Sequence, residues 1–311
     1  MIPDVPYPNA TNIRGAPGAQ LAPVASELIK EDESEVLEFL AQRPLHTAIM
    51  TGLIRDNGLE SELNRGRFYG LRDVAGNLDG VALIGHAVYL EARTHAALRE
   101  FARLAQSVPR LRIILAEEAI TKRFWDYYAC GEPANNCRRE VLFEARERAS
   151  EIAAAPQIRL ASLHELRAVT VIHAALAFAE SGVNPLEMDR AGFRRRCQRR
   201  IEQGRVWVWI EGAELIFKAD VISEAPEVTY IEGVYVAPPH RGKGYGRRCL
   251  AQLSRELLKR TNSVTALVDE QHHQSKDLFR RVGFKPRANY QTIFLQGTKA
   301  GRSQSVRCGT F

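Results

Sequence analysis

Apolar positions along this chain fall into alternating helical and strand patterns. Val36, Leu37, Leu40 and Leu45 recur at helical spacing behind Asp32 and Glu35, which have the form of a capping box, and predict a helix that stops near Asn57-Gly58. GRFYGLRDVAG and DGVALIGHAVYLEAR predict two strands with turn residues between them. HAALREFARLAQ predicts a helix, LRIILAE a buried strand, EAITKRFWDYYACG a helix and RREVLFEARE a closing strand. A connector at 148–156, ending in Pro156, separates this series from a second one. The second series opens with the strand QIRLA, then a helix with Ser162 and Glu165 as capping box, running through about Ala179. MDRAGFRRRCQRRIEQG predicts a helix ending at Gly204, and RVWVWIEGAE with ELIFKADVIS a hairpin around Gly212. VTYIEGVYV is a strand that runs into APPHRGKGYG and the helix YGRRCLAQLSRELLKR. SVTALVDE, HHQSKDLFRRVG and PRANYQTIFL complete the series as strand, helix and strand.

Both series end in strands, helix, strand, helix, strand, without a residue-level repeat of fixed period. The reading is a mixed α/β protein of two related units, 31–147 and 156–296, with a flexible arm at 1–30 and a flexible tail at 297–311. With 45% hydrophobic residues among 311, the chain has enough apolar surface for a core and a length that suits two domains. The net charge of +6 is too mild for a dedicated nucleic-acid binder and suits an anionic ligand such as a nucleotide phosphate. Five scattered cysteines, an odd number without a C-x-x-C pair, argue against a disulfide framework or a metal site and fit a reducing cytoplasm. Residues 1–30 hold no apolar core of a signal peptide, and no apolar run reaches membrane-spanning length, so a cytoplasmic location and no membrane partner are expected.

The stretch with the clearest chemistry runs from Val234-Tyr235-Val236 through Ala237-Pro238-Pro239-His240 to Arg241-Gly242-Lys243-Gly244-Tyr245-Gly246. Three glycines in five positions let backbone N–H groups crowd around a diphosphate without Cβ clashes. The following helix adds unpaired N–H donors, and Arg241 and Lys243 add positive charge. The spacing is neither the dinucleotide G-x-G-x-x-G nor a phosphate loop ending in G-K-[ST]. With V-x-V-x-P before R-x-x-G-x-G, residues 157–296 resemble the GNAT superfamily of acyl-CoA-dependent N-acetyltransferases. Ser275 to Phe284, SKDLFRRVGF, looks like the late helix of that family, which ends in G-F. GRFYGLRD, DGVALIGHA, KRFW and RREVLFE resemble an uncharacterised domain that precedes a GNAT domain in bacterial proteins, and Phe217-Lys218-Ala219-Asp220-Val221 looks like the catalytic half of that group. In the first unit, RTHAALRE stands where the glycine loop would be, so that unit is not expected to bind coenzyme A in this way.

The resemblance implies tandem GNAT-like domains built on a mixed, mostly antiparallel sheet, flanked by helices, in which two parallel strands, 228–237 and 263–270, splay apart. It implies acetyl-CoA as co-substrate and a small-molecule or peptide amine as acceptor. Val234, Tyr235 and Val236 would meet the pantetheine arm, with Val234 and Val236 polarising the thioester carbonyl. Arg241, Gly242, Lys243, Gly244, Tyr245 and Gly246 would hold the pyrophosphate. A free amine has a pKa of about 10, so it must lose a proton before attack. Glu232, on the same strand, is the expected base. His272 falls where the family often has Asn, and Phe279 where it often has the Tyr that protonates the departing thiolate. Tyr290 or Tyr245 could substitute. Two rival readings stay open: a non-catalytic acyl-CoA sensor, and an aminoacyl- or thiol-cofactor-type acyltransferase of tandem GNAT architecture. The acceptor and the oligomeric state are not set by the sequence.

Other features have blander explanations. Glu180, Glu187 and Asp189 could recognise a cationic acceptor, but are expected in a solvated loop. Trp207 and Trp209 could line a pocket, or belong to a strand covered on both faces. Arg194, Arg195, Arg196, Arg199 and Arg200 read as a basic solvated helix face, and Cys249 as a packed thiol.

Overall fold

The computed structural model of the chain describes residues 24–134, 136–155 and 157–295. The expected tail 297–311, and the expected arm up to residue 23, lie outside the described residues.

In the first half, strand β1 (Ser26–Glu27) leads to helices α1 (Glu33–Ala41) and α2 (Pro44–Asn57). Strands β2 (Gly66–Arg72), β3 (Leu78–Gly85) and β4 (Ala87–Ala92) follow, then α3 (His95–Gln106), β5 (Ile113–Glu117), α4 (Glu118–Ala129) and β6 (Cys137–Ala145). The second half contains β7 (Arg159–Leu160), α5 (Leu166–Ser181), α6 (Pro185–Met188), α7 (Arg190–Glu202), β8 (Val206–Glu211), β9 (Glu214–Glu224) and β10 (Thr229–Val236). It closes with α8 (Tyr245–Leu257), β11 (Val264–Asp269), α9 (His273–Val282) and β12 (Lys285–Phe294).

Three local expectations are corrected. Residues 24–30 are not part of a loose arm: Ser26 and Glu27 pair with β2, and the apolar Ala25 and Leu28 are buried. The first expected helix is two helices. Pro44 has no N–H to continue α1, and starts α2 instead. Asp32 accepts a hydrogen bond from Ile29 N at 3.0 Å, ahead of α1, while Glu35 pairs with Arg72 at 2.7 Å. The stretch from Asp79 to Arg93 is likewise two strands. They meet at Gly85, where a Cβ would lie 2.2 Å from the Arg65 carbonyl oxygen, so only glycine fits.

Among the described residues, twelve strands join one sheet in the order β1-β2-β3-β4-β5-β12-β6-β11-β10-β9-β8-β7. Its parallel pairs are β4–β5 and β10–β11, and the others are antiparallel. The last strand of each half has crossed over. β12 pairs with β5 from Tyr290↔Glu117 to Phe294↔Ile113, and β6 pairs with β11 from Val264↔Ala145 to Asp269↔Glu140. The exchange covers edges that either half alone would leave open. The sheet runs on without a break between the two halves that the expected connector at 148–156 joins.

Four amphipathic helices cover one face: α3 and α4 over the first half, α8 and α9 over the second. On the other face, α1 and α2 cover Phe68, Val81 and Leu83, and α5 and α7 cover Val206, Val208 and Leu215. Helix α2 also reaches into the second half. Ala48 packs with Val228 and Tyr230, and Ser223 Oγ donates to Ala48 O at 2.7 Å. Arg199 reaches Asn57 at 2.8 Å, and Arg205 pairs with Asp56. The first half thus supplies one wall beside β10.

Candidate active site

The geometry begins with a strand that leaves its neighbour. β10 pairs with β11 at Thr229↔Val264 and Tyr230↔Thr265, and the pairing goes no further. It stays with β9 as far as Val236↔Phe217, but the register slips between Tyr230 and Ile231 and again between Glu232 and Tyr235. Gly233, with φ +60, sits in the second slip. Bulges of this kind bend a strand and turn its groups outward. The result is a V-shaped gap past Tyr230, with Val234, Tyr235 and Val236 on its free β10 edge.

β10 then turns through Pro238–His240 into the glycine loop. Gly242 and Gly244 take left-handed φ values of +74 and +80, with no atom within 4 Å of an added Cβ. Such a loop keeps its backbone open to a bulky anion. Gly244 caps the 13-residue α8, whose first-turn N–H groups have no intrahelical acceptor. Gly246 sits close to β10, since a Cβ there would lie 3.1 Å from Val236 Cγ2. Arg241 Nε donates to Val236 O at 2.9 Å and ties the loop to the strand. The Tyr245 ring stands edge-on to Trp209 at 4.9 Å, which anchors the start of α8. Open positive-φ glycines, a helix start and nearby cations fit a diphosphate.

Glu232 lies at the mouth of the gap with its side chain 41% exposed. Burial of its surroundings pushes its pKa up, against the pull of Arg200 and His173. Its cross-strand neighbour is Asp220. Asp220 and Lys218 alternate on β9 and are both fully buried, joined by a short contact between Lys218 Nζ and Asp220 Oδ2. Arg200 Nη1 stands 3.5 Å from Asp220 and 3.8 Å from Glu232, and His173 Nδ1 is 3.1 Å from Asp220 Oδ2. Burial alone would raise the Asp220 pKa, but Lys218, the His173 hydrogen bond and Arg200 hold it well below the usual carboxylate range. These two Lys–Asp positions are visible in the sequence only as part of the FKADV stretch. What they do depends on burial, which alternation along a short strand does not reveal.

A cavity of about 460 Å³ opens near the end of β11, lined by Arg138, Glu180, Asp269 and Phe294 among others. Arg138 stands 3.4 Å from Asp269, 3.9 Å from Glu180 and 4.0 Å from Glu140. Glu180 therefore faces a cavity, whereas Glu187 and Asp189 serve local turns: Asn184 donates to Glu187 at 2.9 Å, and Gly192 N to Asp189 at 2.8 Å. The arginine-rich helix is not uniformly solvated. Arg194 and Arg195 are exposed, but Arg199 and Arg200 turn inward to Asn57 and to Asp220, because α7 lies against both α2 and β9.

The remaining candidates separate. His272 is exposed at the N-cap of α9 without a side-chain capping bond. Phe279 is 4% exposed, and its ring packs on Phe143 and Phe284 with centroids 5.9 and 4.9 Å away. It is a core residue, placed there by the apolar stripe of α9. Tyr290 lies on the first-half side, where its hydroxyl meets His46 Nδ1 at 2.9 Å. Trp209 is buried, while the neighbouring Val206 and Val208 pack on the opposite face under α5 and α7. Cys249 is fully buried, which pushes its thiol up to about 12. Among the described residues, no group of three or more His, Cys, Asp and Glu is arranged to hold a metal ion, and no helix is long and apolar enough to cross a membrane.

Residues 172–284 match the acetyltransferase (GNAT) family. No curated protein matches the chain. Among solved structures, a Drosophila protein is similar at a TM-score of 0.63 and 14% identity, covering 88% of this chain and 99% of its own. A tandem GNAT protein from the clavulanic acid biosynthesis pathway is similar at a TM-score of 0.56 and 15% identity, covering 90% and 99%. A GNAT-family acetyltransferase from Colwellia psychrerythraea is similar at 0.53 and 12%, covering 88% and 99%. At these identities the likeness is one of fold, and the fold is the tandem arrangement expected from the sequence.

Proposed function

From a GNAT acetyltransferase domain at residues 172–284, we propose that this protein transfers an acetyl group from acetyl-CoA to a primary amine by direct attack. The observation that carries this reading is the meeting of three features on one strand: the gap past Tyr230, the glycine loop after Val236, and Glu232 between them. Acetyl-CoA, when bound, supplies the activated thioester. Backbone groups of Val234 and Val236 pair with its pantetheine arm and polarise the carbonyl. The loop from Arg241 to Gly246 neutralises and orients the pyrophosphate. Glu232 takes a proton from the acceptor ammonium, aided by burial, which raises its pKa above the ordinary carboxylate value, and by Arg200, which fixes its position. The acceptor approaches on the face covered by α2, α5 and α7. The buried Phe279 has no proton to give, and the thiolate, with a pKa near ~8.5 by analogy with cysteine, leaves without a tyrosine.

Incubation with acetyl-CoA and a panel of primary amines, with thiol release recorded, tests the reading. Turnover with at least one amine is expected. Tight acetyl-CoA binding without turnover on any amine would replace the enzyme by an acyl-CoA sensor.

A further inference from the structure

One guanidinium serves two carboxylates beside the gap. Arg200 Nη1 stands 3.5 Å from Asp220 Oδ2 and 3.8 Å from Glu232 Oε1. The two acids differ in freedom: Asp220 is 1% exposed, whereas the Glu232 side chain is 41% exposed. Asp220 Oδ2 also meets the fully buried Lys218 Nζ and, at 3.1 Å, His173 Nδ1. The Lys218–Asp220 pair lies directly beneath the bulge that follows Glu232. A Cβ on Gly233 would come 3.0 Å from Asp220 Oδ2 and 3.2 Å from Lys218 Nζ. Packing does not call for this arrangement. Asp220 Oδ1 is buried without a hydrogen-bond partner, and a buried ion pair is often no more stable than apolar side chains of similar volume.

We propose that Asp220, seated on Lys218, is a positioning residue that acts through Arg200: it anchors the guanidinium beside Glu232 and keeps it from closing on that carboxylate. This rests on the acetyl-transfer reading above, in which Glu232 is the base. Lys218 compensates the charge of Asp220 in the core, so Asp220 stays ionised and has no route to solvent. It is a fixed anchor from which Arg200 reaches Glu232. It also competes with Glu232 for the same cation. An Arg200 free to close on Glu232 would hold the carboxylate ionised more firmly and make it a weaker base. The other titratable groups that act on Glu232 through charge are His173 and Glu180 from α5, Glu140 from β6, Tyr89 from β4 and Tyr230 on its own strand.

The test uses the full chain with ¹³C-labelled glutamate, the Glu232 carboxyl signal being assigned by its loss in Glu232→Gln. Asp220→Asn removes the competing charge, so Arg200 closes on Glu232 and the Glu232 pKa should fall. Arg200→Gln removes the cation, and the Glu232 pKa should rise. The acid limb of kcat/KM should move the same way, to lower pH in Asp220→Asn and to higher pH in Arg200→Gln. In each variant kcat at pH 7 should drop by roughly tenfold, with the KM for acetyl-CoA barely changed. The double variant Lys218→Met with Asp220→Asn leaves no unpaired buried charge, and should match the kinetics of Asp220→Asn alone. A Glu232 titration and an acid limb that stay at their wild-type positions in Asp220→Asn and in the double variant would overturn the proposal. Failure of the function reading looks different. Carboxyl shifts in both expected directions, with an acid limb that persists in Glu232→Gln, would remove Glu232 as the base, and with it the kinetic role of Asp220, while the charge coupling stands.

Discussion

The two parallel strand pairs of the sheet start alike and end differently. β4 meets β5 from Ala87↔Ile113 to Tyr89↔Leu115, and β10 meets β11 from Thr229↔Val264 to Tyr230↔Thr265. Two residues past the last paired tyrosine stands a glutamate in each case, in Tyr89-Leu90-Glu91-Ala92 and in Tyr230-Ile231-Glu232-Gly233. In the first half, Arg43 spans the two strands, donating to Glu91 at 2.9 Å and to Glu117 at 2.5 Å. Position 117 on β5 corresponds by register to Leu267 on β11, an apolar residue that gives no such bridge. After Glu91 the chain passes through Arg93 to Thr94, the N-cap of α3. After Glu232 it bulges at Gly233 and continues into the glycine loop. The same strand geometry is thus clipped shut by an ion pair in one half and left free beside an open glycine loop in the other. Strand divergence alone does not leave an open gap; the second half has one because it lacks the clip and carries the glycine loop.

Separating the halves should do the most damage. A 151–311 piece lacks β6, and a 1–150 piece lacks β12, so β11 and β5 lose a partner strand. Each piece alone should be poorly soluble and lack a cooperative melt, and mixing the two during refolding should restore both. A soluble, active 151–311 piece would break the picture of one shared sheet.

Next is the loop. Gly244→Glu would place a side chain and a negative charge where φ is +80 and a diphosphate is expected, and should abolish acetyl-CoA binding in calorimetry. Retained affinity would locate the cofactor elsewhere.

The paired glutamates should respond differently to the same substitution. Glu232→Gln should lower turnover by roughly 10²–10³ with acetyl-CoA affinity barely changed. The loss should shrink at high pH, where more of the acceptor is already neutral. Glu91→Gln should leave turnover unchanged and cost about 1 kcal/mol of stability, since Arg43 keeps Glu117 and is itself 40% exposed. Equal kinetic losses in both variants would mean that the first half also takes part in the chemistry.

The smallest effect concerns how each half starts its first helix. In the second half the Arg159 hydrogen bond, followed by the Ser162 N–H and hydroxyl, holds the Glu165 pKa down to about 2 from 4.5. A depressed folded pKa stabilises above the unfolded value, so this contribution is present above about pH 4.5 and is lost as pH falls toward 2. Screened by solvent around Arg159, it should amount to about 1 kcal/mol. Glu165→Gln should therefore lower the unfolding midpoint at pH 7 and match the wild type near pH 2. A difference that persists at pH 2 would assign the loss to packing instead.

Short-range physics accounts for the features that residue order already discloses. Helical and alternating apolar periods specify most of the elements, Ser162 and Glu165 specify a helix start, and the glycines at 242, 244 and 246 specify an open loop before a helix. Each of these depends on neighbours within a turn or a strand. The exchange of β6 and β12 emerges only on folding, because a strand carries no mark of which distant edge it will join. Folding also decides which charges are buried. Lys218, Asp220 and Arg200 look like ordinary polar residues on a strand and a helix until α5 and α7 close over β9 and force them together. Arg43 and Glu91 are likewise separated by 48 positions and meet only when α2 packs beside β4.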